Sequence, residues 1–271
     1  MKPRPFDYLR PDTVEEALAL LADYGDDARI LAGGQSLVPM LNLRIVEVEA
    51  LIDISRIAAL DAIRDLGDRI EIGAAVTQNK LLAWPQLAEK VPLIAAALPH
   101  VGHFQTRNKG TVCGSIAHAD PSSELPLTLA LLGGEVVLKS QRGARVLAAK
   151  DFQRDMLTTA RAGDELIAAV RVPVTSGSGA GFREVARRHG DFAIIAVAAV
   201  AEKNAVRLGV GGMAGKPAVR QIPGDKAVDA IAAWADELEG YEDLHASAAM
   251  RRDLFRNLAP LAVKEAIACA A

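Results

Sequence analysis

Leu31-Ala32-Gly33-Gly34-Gln35-Ser36-Leu37 overlaps the end of a short apolar run, residues 29–32, which predicts a buried strand. Two adjacent glycines at a strand exit permit backbone conformations that a Cβ would block, and they let a ligand approach the main chain. Successive free N–H groups in such a turn form a concave anion site, and Ser36 adds a hydroxyl donor. The stretch therefore predicts either a phosphate-binding loop or a plain strand-to-helix turn, and the dipeptide alone favours the turn.

The residues on either side of this glycine loop predict a small parallel sheet. Thr13 and Glu16 match a capping box ahead of an amphipathic helix, and Gly25 is a suitable end for it. A short helix with Pro39 in its first turn follows the loop, and residues 50–54 predict another buried strand. This order puts the loop at the carboxyl end of a parallel strand, where α/β sheets bind their ligands.

Farther along the chain the pattern changes to hairpins and helices. A hairpin is predicted around Gly67-Asp68, and a helical stretch over 77–98 is broken near two prolines. The Gly/Ser-rich residues 175–181 are the most linker-like in the chain, and they predict either a linker to a C-terminal unit or a long exposed turn at that boundary. A further hairpin is predicted around Lys203-Asn204. An alanine-rich helical region ends the sequence. The remaining predicted elements are a helix over 125–132 and strands over 135–139, 145–147 and 166–172.

The composition argues against some kinds of partner and of metal site. The 271 residues carry a formal net charge of -3 with no strongly basic window, so nucleic acid is not an expected partner. Cys113 and Cys269 are too few for an iron–sulfur cluster or a Cys-rich zinc site in this chain. His100, His103 and His118 match no common metal-ligand spacing and are predicted to be exposed loop residues, although His118 is also a candidate neighbour of a bound ligand. We expect no metal site, no integral membrane segment and a cytoplasmic location.

A second segment, Thr111-Val112-Cys113-Gly114-Ser115, repeats the chemistry of the first loop. Two glycine turns, each followed by a helical stretch, suit a diphosphate, because its two phosphoryl groups need donors from more than one direction. Asp120 and Glu124 follow this second segment. They fit two roles, as hydrogen-bond acceptors for ribose hydroxyls or as N-terminal capping groups of the next helix.

The chain resembles the FAD-binding medium subunit of the molybdenum hydroxylases. The resemblance is carried by the glycine loop, by residues 110–121 and by residues 187–193. That family includes carbon monoxide dehydrogenase and xanthine dehydrogenase. The resemblance implies an α+β chain that begins with a two-lobed α/β FAD-binding domain of the PCMH type over 1–175. Its lobes would cover about 1–56 and 57–175. A C-terminal domain with an antiparallel sheet and a helical bundle would follow over 176–271.

The same resemblance implies which residues contact FAD, and it implies no catalytic side chain. Gly102 and Glu124 match positions near the adenosine half, and Arg183 and Phe192 match positions near the isoalloxazine. Phe192 serves equally well as a core anchor for the following strand. The implied cofactor contacts are Leu31, Ala32, Gly33, Gly34, Gln35, Ser36, Gly102, Thr111, Val112, Cys113, Gly114, Ser115, Asp120, Glu124, Leu166, Ile167, Arg183 and Phe192.

Cys113 departs from the family pattern, which usually has a second glycine at this position. A thiol there suits either redox chemistry beside the phosphates or a small, inert filler of the core, and the filler is the simpler interpretation.

The resemblance also implies a function. Substrate would be oxidised at a molybdenum cofactor in a large partner chain, and electrons would pass through two [2Fe–2S] clusters in a small partner chain. They would then reach FAD in this chain and leave to an external acceptor, within a dimer of heterotrimers. Two alternatives stay open: a stand-alone FAD-dependent oxidoreductase, and an FAD- or nucleotide-binding assembly module without turnover.

Overall fold

A computed structural model of the chain describes residues 1–202, 205–224 and 227–270. Its first part is the predicted parallel sheet, with strand order β1-β3-β2. Thr13 Oγ1 accepts a hydrogen bond from the Glu16 N–H at 3.2 Å, which confirms the capping box, and Gly25 at φ +54° ends the helix. The elements are β1 (Asp7–Leu9), α1 (Val14–Tyr24), β2 (Ala28–Leu31), α2 (Leu37–Asn42) and β3 (Ala50–Asp53).

The second part is built on a five-stranded antiparallel sheet of order β4-β5-β10-β6-β7. The predicted helical stretch over 77–98 is broken as expected, because Pro85 lies between two helices and Pro92 begins the next. The elements are β4 (Ile63–Asp65), β5 (Arg69–Gly73), α3 (Gln78–Leu82), α4 (Leu87–Lys90), α5 (Pro92–Ala97), α6 (Phe104–Arg107), α7 (Val112–His118), α8 (Glu124–Leu131), β6 (Glu135–Ser140), β7 (Gly143–Ala148), α9 (Ala149–Phe152), β8 (Gln153–Asp155), β9 (Thr158–Thr159) and β10 (Leu166–Pro173).

The third part is a four-stranded antiparallel sheet of order β11-β12-β13-β14 with two helices packed on it. The predicted hairpin is present as two paired strands, and its turn at Lys203-Asn204 lies outside the described residues. The elements are β11 (Gly179–Val185), β12 (Ile195–Ala201), β13 (Ala205–Gly211), β14 (Ala218–Pro223), α10 (Ala227–Glu237) and α11 (Ala248–Cys269).

The linker prediction for residues 175–181 is wrong in its second half, where β11 begins. A Cβ built on Gly181 would lie 2.0 Å from the carbonyl oxygen of Ala262, and one on Gly179 would lie 1.8 Å from that of Ala266. These glycines therefore serve the close approach of α11 to the strand rather than chain flexibility.

Two hydrophobic cores run through these layers. The larger core joins the first two sheets and reaches Phe182, Ala196 and Ala198 on one face of the third sheet. The smaller core lies on the other face, under α10 and α11. The predicted lobe and domain boundaries, at 56 and 175, both fall between sheets. Across the described residues, none of the helices is both long and apolar enough to cross a membrane.

Candidate functional site

A cleft of about 660 Å³ opens between the first sheet, the second part of the chain and a turn at residues 190–192. One wall is the end of β2 with the glycine loop, and the opposite wall comes from residues 101–118. Residues 157–167 line a further side. The cleft therefore lies at the carboxyl end of a parallel strand, as the sequence predicts.

The glycine loop offers main-chain donors to this cleft. Within the described part of the chain, the N–H groups of residues 33–36 donate to no protein acceptor. Gly34 adopts φ +70°, and the Gln35 side-chain amide donates to the Gly33 carbonyl oxygen at 3.1 Å, which fixes the turn. Successive unpaired N–H groups in such a turn suit an anion.

The second segment is the beginning of a helix rather than a glycine turn. Thr111 is the N-cap of α7, and its Oγ1 accepts a hydrogen bond from the Gly114 N–H at 2.9 Å. A Cβ at Gly114 would lie 2.7 Å from that oxygen, so the cap requires glycine there. In the described part of the chain the Val112 and Gly114 N–H groups already donate to protein acceptors and the Cys113 N–H does not, so the first turn offers the cleft one N–H group and the positive end of the helix dipole.

Gly33 of the glycine loop touches Lys109 and Gly110, which come directly before the second segment, and this contact forms the floor of the cleft. A Cβ on Gly33 would lie 2.2 Å from the carbonyl oxygen of Lys109 and 2.7 Å from Gly110 Cα. Gly33 is thus required by the contact between the two segments, while Gly34 supplies the positive φ of the turn. Because the contact is between main chains, the donors of both segments are held at a fixed separation.

Most of the predicted FAD contacts meet in this cleft, and three do not. Val112 is buried in the core, and its N–H donates to the Val76 carbonyl oxygen. Asp120 Oδ1 accepts from the Ser122 N–H at 2.8 Å, which favours a turn-capping role. Arg183, which the resemblance implies near the isoalloxazine, does not line the cleft. It is exposed on β11, and its guanidinium lies 3.2 Å from the Glu265 carboxylate on α11. The cleft is lined by Leu31, Ala32, Gly33, Gly34, Gln35, Ser36, Gly102, Thr111, Cys113, Gly114, Ser115, Glu124, Leu166, Ile167 and Phe192.

The structure also separates two interpretations left open by the sequence. Phe192 is 53% exposed and lines the cleft, so it is not a core anchor. His118 is half-buried at the end of α7 and also lines the cleft, so the prediction of an exposed loop residue is wrong for it. Burial lowers the pKa of His118, and its ring centroid lies 6.4 Å from that of Phe192. These two rings form one end of the site.

Cys113 fills space in the core. Its side chain is 3% exposed, and Sγ lies 3.5 Å from the carbonyl oxygen of Ile72 on β5. Burial raises the pKa of the thiol to about 12, so the reactive thiolate is scarce at neutral pH. The position has a helical backbone, which tolerates a Cβ, and this explains why the family glycine is dispensable here.

The two cysteines should differ sharply in reactivity. We expect a thiol reagent at about pH 8 to modify Cys269, which is exposed, and to spare buried Cys113 until the chain unfolds. Cys113→Ala should keep its FAD and lose about 1 kcal/mol of stability, since only a small buried group is removed. Mass spectrometry of labelled folded and unfolded protein checks the first point, and flavin content checks the second. Rapid labelling of Cys113 in the folded chain would contradict the filler role.

Several polar residues of the cleft wall are not predicted from the sequence, among them Gln78, Arg29 and Arg161. Gln78, at the start of α3, is buried and lines the cleft, and its Oε1 has no hydrogen-bond partner among the described residues. A buried carbonyl oxygen without a donor suits a ligand that brings one. No local pattern around Gln78 predicts this, because the cleft forms only when distant segments meet. The cleft offers main-chain N–H groups and hydroxyls, and Arg29 and Arg161 also line it, which fits the anionic diphosphate of FAD. Among the described residues, no group of three His, Cys, Asp or Glu side chains could hold a metal ion.

A sequence profile described as "FAD binding domain in molybdopterin dehydrogenase" matches residues 4–175. The chain belongs to this family. The match covers the first two sheets and most of the cleft, and it ends where the linker-like segment begins. This family member is an FAD-containing oxidoreductase subunit of a molybdenum hydroxylase complex, as the resemblance implies.

Individual relatives agree with the assignment. The chain is 44% identical over 201 residues to the 6-hydroxypseudooxynicotine dehydrogenase complex subunit alpha of Paenarthrobacter nicotinovorans, covering 74% of this chain and 68% of that protein. It is 34% identical over 276 residues to the nicotine 6-hydroxylase medium subunit of the same organism, covering 96% of both. A chain of carbon monoxide dehydrogenase from Hydrogenophaga pseudoflava superimposes with a TM-score of 0.92 at 32% identity, covering 100% of both chains. The predicted α+β fold is confirmed.

Proposed function

We propose that this family member is the electron-transfer subunit of a molybdenum hydroxylase that also contains a large molybdenum-cofactor subunit and a small iron–sulfur subunit. When bound, FAD supplies the redox chemistry, taking electrons from the [2Fe–2S] clusters of the small subunit and passing them to an external acceptor. A similar solved structure is that of a Cu,Mo-CO dehydrogenase, and a similar protein is named the medium subunit of nicotine 6-hydroxylase, which together support a molybdenum-containing complex with further subunits. We further propose a dimer of heterotrimers in the cytoplasm.

The observation that carries this proposal is the pair of touching main-chain segments on the cleft floor. The N–H groups of residues 33–36 would bind one side of the FAD diphosphate, and the first turn of α7 would bind the other. Ser36 and Ser115 add hydroxyls from the two segments, and Ser115 Oγ already lies 2.8 Å from Ser123 Oγ. The main-chain contact between the segments would orient the cofactor, and Arg29 and Arg161 also line the cleft.

The other cleft residues would position the two ends of the cofactor. Gly102 and Glu124 would lie along the adenosine half, while Leu166 and Ile167 would lie beside the flavin. Phe192 and His118 would cover the ring and exclude water from it. No side-chain nucleophile is needed, because these residues bind and orient the cofactor and the reaction itself belongs to FAD.

Purification of the tagged chain from cells that express its natural partners tests the proposal. We expect a yellow chain with one bound FAD that retains an iron-containing small chain and a molybdenum-containing large chain. Addition of the substrate of the complex should bleach the flavin absorption only when both partners are present. A yellow monomer that turns over a substrate alone would overturn the proposal, and a colourless chain that rejects FAD would favour the assembly module.

A further inference from the structure

Glu124 is a buried carboxyl group in the wall of the cleft. It is the first residue of α8, is 2% exposed and lines the cavity proposed to hold FAD. Among the described residues, no basic or hydroxyl side chain pairs with this carboxyl, and the one hydrogen bond that favours its ionised form comes from its own backbone N–H. A buried carboxylate normally has such a partner, so the ionised form of Glu124 is poorly compensated.

The charged groups around Glu124 do not favour its ionisation. The charge of His100 lowers the pKa of Glu124, but His100 Nδ1 lies 3.3 Å from Glu184 Oε1 and is paired with that carboxylate. Glu184 and Asp120 add negative charge, and Glu184 Oε2 is buried without a partner. Burial, with the charge of Glu184 beside it, raises the pKa of Glu124 to about 8.

The other basic groups near α8 or in the cleft are engaged elsewhere. Arg29 and Arg161 line the cleft, and the acidic groups that interact with Arg161 are Asp26, Asp164 and Glu165. Arg183 pairs with Glu265 on α11, and Arg207 of β13 donates to the Leu131 carbonyl oxygen at the opposite end of α8. His118 lines the same cleft, where burial lowers its pKa and keeps it neutral. Among the described residues, none of these basic groups forms an ion pair with Glu124.

We infer that Glu124 binds FAD as the neutral acid, whose O–H donates a hydrogen bond to an acceptor atom of the cofactor, so that FAD binding requires a protonated Glu124. This inference rests on the proposed function. FAD brings a negatively charged diphosphate into the cleft and displaces water from it. An ionised carboxylate there would lose its hydration and face a like charge, whereas the protonated acid offers a hydrogen bond.

The sign of the pH dependence follows from this coupling. The favourable form of Glu124 is present at low pH and is lost as the pH rises through the pKa of the free protein. With that pKa at about 8, the protonated fraction falls about tenfold between about pH 7 and pH 9. The FAD dissociation constant should therefore rise about tenfold over this interval, and binding at about pH 9 should take up nearly one proton per chain.

Glu124→Gln separates this role from a structural one. The amide keeps the size and a hydrogen-bond donor but does not titrate, so its FAD dissociation constant should match the wild-type value at about pH 7 and stay flat to about pH 9. Glu15→Gln makes the same change on an exposed position of α1 and should keep the wild-type pH profile. Glu184→Gln removes a neighbouring negative charge and should move the loss of FAD to lower pH.

Equilibrium titration of the flavin-stripped full chain with FAD, followed by flavin fluorescence, gives these constants. Calorimetry of the wild-type chain in buffers of different ionisation enthalpy measures proton uptake and needs no variant. A flat wild-type profile, absence of proton uptake at about pH 9, or a Glu124→Gln chain that follows the wild-type decline would each overturn the inference. A wild-type chain that binds no FAD even at about pH 7 would instead overturn the proposed function.

Discussion

Gly33→Ala should abolish FAD retention. The added Cβ would lie 2.2 Å from the Lys109 carbonyl oxygen and 2.7 Å from Gly110 Cα, and both are main-chain atoms that no side-chain rotation can move. The two segments on the cleft floor must then separate, and their N–H groups can no longer bind one diphosphate together. Loss of two hydrogen bonds to a charged group, at about 1.5–3 kcal/mol each, corresponds to a weakening of roughly 100-fold or more.

Flavin content of the purified variant, with an FAD titration and a urea unfolding curve, checks this expectation. The separation of the segments should also cost about 1–3 kcal/mol of stability, as overpacking usually does. Gly67→Asn is a suitable control, because Gly67 has positive φ in an exposed turn and nothing lies within 4 Å of its Cβ position. The control should keep its FAD. One FAD per chain in Gly33→Ala would show that the main-chain contact is not needed.

Gly34→Ala should be milder than the change at its neighbour. A Cβ at Gly34 would lie 3.2 Å from Leu31 Cδ1 and from Val38 Cγ2, which are the ends of flexible side chains. The remaining cost is the positive φ of +70°, about 1–2 kcal/mol for a residue with a Cβ. The sequence alone does not show that the two glycines have different roles, because the difference comes from the contact of Gly33 with a distant segment.

Much of the fold is predictable because its signals are local. The capping box at Thr13 and the glycine stop at Gly25 follow from residues only a few positions apart, and Pro92 marks a helix start. Residues 179–181 are different, because a Gly/Ser run has the same composition whether it is a flexible linker or a strand under a helix. Its partner, α11, lies about eighty residues away in the sequence.

The candidate site is likewise predictable where local patterns mark its residues, and not where distant segments meet. Glycine and hydroxyl patterns locate both segments of the cleft floor, and fifteen of the implied contacts line the cleft. Arg183 departs because an alternating strand residue can face either side, and here it faces Glu265 on α11. Gln78 enters the site through tertiary packing, which no local pattern records, whereas His118 belongs to the helix that begins in the second segment.

Gly181→Ala should strongly destabilise the C-terminal part of the chain. The new methyl group would lie 2.0 Å from the Ala262 carbonyl oxygen and 2.9 Å from its carbonyl carbon, so β11 and α11 must move apart. Gly179 faces Ala266, one turn farther along α11, so the two glycines together form a continuous contact between β11 and the helix. Moving β11 and α11 apart opens the smaller core. We expect the free energy of unfolding to fall by about 3 kcal/mol, at the upper end for overpacking.

Urea unfolding and limited proteolysis of α11 measure this effect. Gly177→Asn is the matched control, because it adds a larger side chain next to the same strand, where nothing lies within 4 Å of the Cβ position. Asn tolerates the positive φ of +79° at that position, so the control should change stability by less than about 0.5 kcal/mol. If Gly181→Ala unfolds at the wild-type urea concentration, α11 can shift by about an ångström without cost. The glycines of β11 would then not be required for helix packing.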